Sequence, residues 1–203
     1  MLNDVTDFNI REYLSAKGDK DLGEDELRQL LSEFFCDKNP DVESFLKEQS
    51  IEFTKKNQSV TYLVFSNEAA SLVGYFTITI KPIIVNAENF SNTMKRKIAR
   101  VSELDEENGT YTLSPYLIAQ LGKNFKDGAN EKVTGEQLLQ AAVETIKELQ
   151  YMAGGMVIFL EAEDNDKLMH FYEDENGFKR FDVREAKSGV HDSHTLIQLL
   201  KII

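Results

Sequence analysis

Apolar positions along the chain change their period several times, and each change marks an element. The polar stretch 1–22 carries Phe8, Ile10 and Leu14 at a spacing that fits a first strand or one helical turn, followed by a charged, glycine-containing loop from Lys17 to Gly23. From Glu24 onward, Leu27, Leu30, Leu31, Phe34 and Phe35 recur at helical spacing and predict a helix ending near Phe35. Asn39 followed by Pro40 predicts the next start. The Asn side chain can accept an orphan helix N–H, and Pro at the first helical position removes a donor that has no acceptor there. Val42, Phe45, Leu46, Gln49 and Phe53 carry that second helix onward. Ser59–Ser66 and Leu72–Val85 are rich in β-branched and aromatic residues and predict a hairpin across Asn67–Ser71, with Pro82 bending or ending the longer strand.

Between 86 and 105 the positions Phe90, Met94, Ile98 and Val101 predict a helical segment, around which Lys95, Arg96, Lys97 and Arg100 gather. Asn108-Gly109 marks a turn, and Tyr111 to Phe125 reads as one strand with its apolar centre from Tyr116 to Leu121. After a tight loop at Asp127–Asn130, Thr134 with Gln137 three residues later forms a capping box. The long helix it opens runs through Met152 and lines Leu138, Leu139, Ala142, Val143, Ile146 and Leu149 along one side. Met156 to Leu160 is an unbroken apolar run after Gly154 and Gly155, which suits a strand covered on both faces. Asp164 or Asn165 then caps a short helix with Leu168, Phe171 and Tyr172 on one face, stopped by Asn176 and Gly177. Phe178, Phe181 and Val183 begin another strand, Phe181 and Val183 sharing a face, and His191–Ile203 supply the last one.

Composition narrows the setting. The 203 residues suit one domain with a substantial core, or one domain plus an extension. Cys36 stands alone, so no disulfide forms within the chain, and it reads as a small buried hydrophobe. No basic segment leads into an N-terminal apolar stretch and no run is long enough to span a membrane, so a reducing, cytoplasmic setting is expected. With Asp+Glu 35 against Lys+Arg 23, the net charge of −12 repels a phosphate-rich polymer unless a local basic patch overrides the average. Nucleic acid is therefore disfavoured as a partner. The Lys95–Arg100 stretch reads as a solvated helix face, or as a face that meets an acidic partner or substrate.

Asn165, Leu168, Met169, Phe171, Tyr172, Gly177 and Phe178 resemble the second signature of the GNAT N-acetyltransferases: Asn, two residues, two apolar residues, any residue, Phe-Tyr, a short gap, Gly-Phe. The alternative for Phe171 and Tyr172 is an ordinary pair of core aromatics on an amphipathic helix. The first GNAT signature is Gln or Arg, two residues, Gly, any residue, then Gly or Ala. Aligned on Leu138 and Leu139, it puts Asn130, Val133 and Gly135 at its three positions. Gly135 matches, Asn130 is a shorter polar residue, and Val133 stands where the pattern has glycine. The segment Cys36–Phe53, with Asp41, Phe45 and Leu46, is similar to a bacterial branch of the family, many of whose members are toxins of toxin–antitoxin pairs. The resemblance extends over residues 36–200.

The resemblance implies an α/β protein of the α+β kind with the GNAT fold, a mixed, mostly antiparallel central sheet of about six or seven strands flanked by helices. Residues 1–22 would be an N-terminal extension or first strand, and 23–203 a single acetyltransferase domain with a helical insert near 86–105. It implies acetyl-coenzyme A as co-substrate and no metal. The backbone of Gln120, Leu121, Gly122 and Lys123 would pair with the pantetheine arm, and Asn130, Glu131, Lys132, Val133, Thr134 and Gly135 would hold the pyrophosphate at a helix N-terminus, with Lys123, Lys126 and Lys132 nearby. Asn165 would contact the pantetheine side, and Tyr172 would protonate the departing thiolate after direct attack by a primary amine. Glu161, Glu163 and His191 are candidates to take the amine's proton, while His170 reads as surface. The acceptor is expected to be a small molecule or a protein, with aminoacyl-tRNA, the substrate of a toxin-type enzyme, as the alternative. A third reading is a non-catalytic GNAT-like module that works through protein contacts. A homodimer is among the expected assemblies, and no membrane partner is expected.

Overall fold

The computed structural model describes residues 5–14, 23–188 and 192–203. Strand β1 (Val5–Asn9) runs directly into helix α1 (Ile10–Leu14). The expected loop from Lys17 lies outside the described residues as far as position 22, as does His191. Helix α2 (Glu24–Ser32) ends before Phe34 and Phe35, earlier than the pattern predicts. Phe34 is nevertheless fully buried, its ring edge-on to Tyr75 at 5.2 Å. Its apolar character serves the core rather than the helix.

The Asn39-Pro40 signal behaves as expected: Asn39 Oδ1 accepts the Val42 N–H at 3.3 Å, with Pro40 opening α3 (Pro40–Ser44). That helix passes through a π-helical stretch, Phe45–Gln49, into α4 (Ser50–Lys55). At the join the buried Ser50 hydroxyl donates to Leu46 O at 2.6 Å, a back-bond that competes with the regular helix ladder. Strands β2 (Val60–Ser66) and β3 (Leu72–Ile80) form the antiparallel hairpin. Pro82 separates β3 from β4 (Ile83–Asn86), as its missing N–H requires. In the 86–105 stretch a 3₁₀ turn, Ala87–Asn89, precedes helix α5 (Asn92–Ile98), capped by Ser91, and the stretch ends in β5 (Leu104–Asp105).

The single strand expected over Tyr111–Phe125 is two. Pro115 breaks it into β6 (Thr110–Leu113) and β7 (Tyr116–Lys123), and the halves join different sheets. A proline cannot donate to a ladder, so the chain turns there and changes partners. Helix α6 (Gly135–Ala153) leads to β8 (Val157–Glu163), then α7 (Asp166–Met169), which continues as a π-helical stretch His170–Glu175. Strands β9 (Lys179–Ser188) and β10 (Asp192–Ile202) close the chain. The main sheet has seven strands in the order β1-β2-β3-β7-β8-β10-β9, and β4-β6-β5 form a separate sheet of three. The pairs β1–β2, β2–β3, β8–β10, β10–β9, β4–β6 and β6–β5 are antiparallel, and β7 meets β8 in a parallel ladder of two pairs, Tyr116↔Ile158 and Leu117↔Phe159. The α+β class and the mostly antiparallel sheet flanked by helices are as expected.

The β9–β10 register corrects one detail. Gln198 pairs with Asp182 and Leu199 with Arg180, so Phe181 is an extra, bulged residue. The bulge lets Phe181 pack with Phe159 on one face while Val183, opposite Ile197, turns to the other and stays 57% exposed. Phe181 and Val183 therefore do not share a face.

The chain forms two compact units, Met1–Thr79 with Ile118–Ile146, and Ile80–Leu117 with Lys147–Ile203. The first is centred on Leu27, Leu31, Phe34, Val42, Leu46, Leu63 and Tyr75. In the second, Phe159, Phe181 and Leu200 of the main sheet meet Val85, Phe90, Ile98 and Tyr111 from the small sheet and α5.

Candidate functional site

Within the first unit the expected pyrophosphate segment follows the end of β7. Two glycines set the packing there. A Cβ on Gly74 of β3 would lie 2.8 Å from Gly122 O and 3.1 Å from Leu138 of α6, and a Cβ on Gly122 would overlap Val42 Cγ1 of α3. Helices thus press on the β3–β7 backbone directly, and only glycine admits them. Tyr75 fastens the same point by donating to Val42 O at 2.5 Å.

Beyond β7 the backbone takes two left-handed residues, Asp127 (φ 50°) and Gly128 (φ 74°), and a 3₁₀ stretch, Lys126–Lys132, that delivers the chain to Thr134. The Thr134 hydroxyl accepts the Gln137 N–H at 3.0 Å and the Gln137 side chain accepts the Thr134 N–H at 2.8 Å, the capping box read from the sequence. The first N–H groups of a helix have no acceptor within it, so those of Gly135 and Glu136 remain for an anion, with the dipole of a 19-residue helix behind them. Val133 is 2% exposed in an extended conformation (φ −145°), so its bulk lies in the interior and its backbone needs no glycine. Asn130, Glu131, Lys132 and Thr134 lie at the surface or half-buried on the same segment.

The three expected lysines serve different contacts. Lys126 is paired with Glu33, which raises its pKa, and Lys132 reaches Ser71 Oγ at 3.5 Å. Burial and the neighbouring Lys38 lower the pKa of Lys123. Asn124, absent from the expected set, is 3% exposed and holds the end of β7 to three other backbone segments.

In the second unit β8 carries the chain to Asn165, whose Oδ1 accepts the N–H groups of Lys167 at 2.9 Å and Leu168 at 3.4 Å. The expected pantetheine contact is thus the N-cap of α7. Tyr172 sits in the π-helical stretch that follows, a departure from α-helix that recurs at functional sites. Its half-buried ring meets Phe171 and Phe178 edge-on at 5.0 and 5.8 Å, and the Phe178 N–H donates to Tyr172 O at 2.9 Å. Among the described residues no hydrogen bond engages its hydroxyl. Burial pushes its pKa up to about 12, so the phenol keeps its proton at neutral pH. Asn176 fixes the helix end by donating to Phe171 O at 2.8 Å, and Gly177 takes the left-handed stop at φ 68°. His170 is exposed and bonded to Asp174, as expected of a surface residue.

Glu161 does not suit proton abstraction. Burial pushes its carboxyl up, but Arg184 in a two-point contact (2.9 and 2.5 Å) and Gln198 at 2.8 Å outweigh this and hold it below its usual value. Glu163 is exposed.

No protein-family model and no curated protein sequence matches the chain. Solved structures do match in fold. AtaT complexed with acetyl-methionyl-tRNAfMet superposes with a TM-score of 0.60 at 16% identity, covering 96% of this chain and 94% of that one. A tyrosine-to-phenylalanine variant of KacT gives 0.60 at 17% identity over 97% and 95%. A tyrosine-to-phenylalanine variant of the toxin AtaT, bound to the C-terminus of the antitoxin AtaR and acetyl-CoA, gives 0.54 at 15% over 98% and 94%. The chain has the fold of these proteins, the GNAT fold, along nearly its whole length.

Proposed function

We propose that the protein is an acetyl-coenzyme A-dependent N-acetyltransferase that transfers acetyl to a primary amine by direct attack. The observation that carries this is the order of local devices along the chain. A strand and loop lead into a capping-box helix with free first-turn N–H groups. The next strand leads into an Asn165-capped helix that holds Tyr172 neutral in an apolar setting. Gly135, Glu136 and the loop before them would take the pyrophosphate, as donors backed by a helix dipole. The β7 edge beyond Leu117, where its ladder with β8 ends, would pair with the pantetheine amides. Selection through main-chain groups explains why Asn130 and Val133 can depart from the family pattern.

In the reaction a neutral amine forms its N–C bond to the thioester carbonyl carbon, the C–S bond breaks, and the Tyr172 hydroxyl gives its proton to the sulfur. The proton shed by the amine goes to solvent and restores the phenol. A free thiol has a pKa of about 8.5, so a phenol near 12 transfers its proton uphill in water. Desolvation raises the thiol as it raised the phenol, which narrows the gap. AtaT with bound acetyl-CoA shares this fold, which supports the choice of co-substrate.

Aminoacyl-tRNA is the second reading for the acceptor, and one observation favours it: Lys95, Arg96, Lys97 and Arg100 around α5 form no ion pair among the described residues. A local patch of unneutralised cations outweighs the average charge for a polyanion at contact distance. An AtaT–tRNA complex on the same fold points the same way, so the net charge of −12 does not count against RNA. Incubation with labelled acetyl-coenzyme A and two acceptor pools, bulk aminoacyl-tRNA and a panel of polyamines and peptides, tests both readings. Label in either pool supports acetyl transfer and names the acceptor class. No transfer to any pool, with cofactor bound, leaves the non-catalytic module.

A further inference from the structure

The Asn124 side chain uses every hydrogen-bonding position it has. Its Oδ1 accepts the Phe35 N–H at 2.9 Å and the Lys126 N–H at 3.1 Å, filling two lone pairs. Its Nδ2 donates to Leu72 O at 2.9 Å and Glu33 O at 3.2 Å, using both protons. Its own N–H bonds Val73 O at 2.8 Å. A primary carboxamide alone offers two acceptor and two donor positions on so short a stem. Asp would set an oxygen against two carbonyls, and Ala would leave two N–H and two C=O groups without the partner they have here, the Leu72 carbonyl in a buried setting.

The segments so joined are not neighbours in sequence. Glu33 and Phe35 belong to the connection between α2 and α3, Leu72 and Val73 to β3, and Lys126 to the loop that leads to α6. Two further links run in parallel: the Phe125 N–H donates to Phe35 O at 2.7 Å, and Lys126 pairs with Glu33. The end of β7 and the α2–α3 connection are therefore zipped residue by residue, with Asn124 as the buried centre.

We infer that Asn124 is a positioning residue for acetyl-coenzyme A: its carboxamide holds the end of β7 and the start of the Lys126–Lys132 loop in the geometry the cofactor requires, and couples both to the α2–α3 connection. The inference rests on the cofactor reading above. It assigns Asn124 no contact with the substrate.

Wild type, Asn124→Asp and Thr61→Val are compared by melting and by kinetics in acetyl-coenzyme A. Thr61 shares a buried 2.8 Å hydrogen bond with Thr77 between β2 and β3, so its loss destabilises the same unit without touching β7. Both variants should melt lower. Only Asn124→Asp should lose kcat/KM for acetyl-coenzyme A, on the order of a hundredfold as expected for a displacement of about 1 Å, and the loss should fall in KM with kcat at saturation near wild type. A KM unchanged, or shifted no more than in Thr61→Val, overturns the inference. Should Asn124→Asp not fold, amide hydrogen exchange on the wild type decides: acetyl-coenzyme A should slow exchange at Phe35, an exposed residue whose N–H is held by Asn124, as well as in the loop. Unchanged Phe35 exchange overturns the coupling. A wild type that binds no acetyl-coenzyme A removes the acetyltransferase reading and this inference with it, whereas binding without these effects removes this inference alone.

Discussion

Thr134 and Gln137 exchange hydrogen bonds, hydroxyl to backbone at 3.0 Å and side-chain oxygen to backbone at 2.8 Å, at the first turn of the longest helix in the described residues. Thr134→Ala should cost about 1 kcal/mol, which in a protein of this size lowers Tm by about 2–4 °C. Thr134→Ser, which keeps the hydroxyl, should stay close to wild type. Calorimetric melting of the two variants checks this.

Gly122 and Val42 offer a steric test. Gly122→Ala places a methyl group where Val42 Cγ1 sits and should destabilise by about 1–3 kcal/mol through overpacking. Val42→Ala alone removes buried side chain and should also destabilise. The double variant should be more stable than the sum of the two losses, since the new methyl enters the space vacated. Denaturant melts of the three variants would show additive losses if helix α3 were not pressed against this point of β7.

Tyr172→Phe keeps the ring contacts with Phe171 and Phe178 and deletes only the hydroxyl. The turnover number should fall about a hundredfold to ten-thousandfold, with cofactor affinity unchanged. Equal activity would leave Tyr172 as a core aromatic. The raised pKa also has a stability consequence. Because the folded value near 12 lies above the usual 10.0, the contribution is complete below pH 10 and is lost as pH rises toward 12.

The Glu161–Arg184 pair gives the opposite sign. Glu161 titrates below its ordinary 4.5 in the folded protein, so its contribution is present above that pH and is lost as pH falls through the folded value. Arg184→Leu should lower Tm most at neutral pH, where it strands a half-buried carboxylate, and the deficit should shrink as the medium is acidified below 4.5. A deficit independent of pH would mean that Arg184 acts through packing alone.

The features legible in the sequence are those whose cause is local. Asn39 with Pro40, Thr134 with Gln137, and Asn165 each act across three residues, and Pro82 acts on its own strand; all stand where the spacing puts them. Pro115 carried the same signal as Pro82, but the apolar run beyond it masked the break between β6 and β7. The three-stranded sheet, whose members are four residues or fewer, is too short to leave a period-2 pattern. Asn124 lies beyond such reasoning: its partners Glu33, Phe35 and Leu72 are 91, 89 and 52 residues away, and an Asn at a strand end reads as an ordinary turn residue. The Phe181 bulge, likewise, depends on the pairing of β9 with β10, which no local pattern in β9 specifies.

Acetyl transfer requires first that the cofactor bind, and isothermal titration of the full chain with acetyl-coenzyme A measures this directly. A single saturable site is predicted, weakened when Gly135→Pro removes one of the first-turn N–H donors at α6 and retained in Tyr172→Phe. No heat of binding with acetyl-coenzyme A at millimolar concentration, in a protein that melts cooperatively, would contradict it.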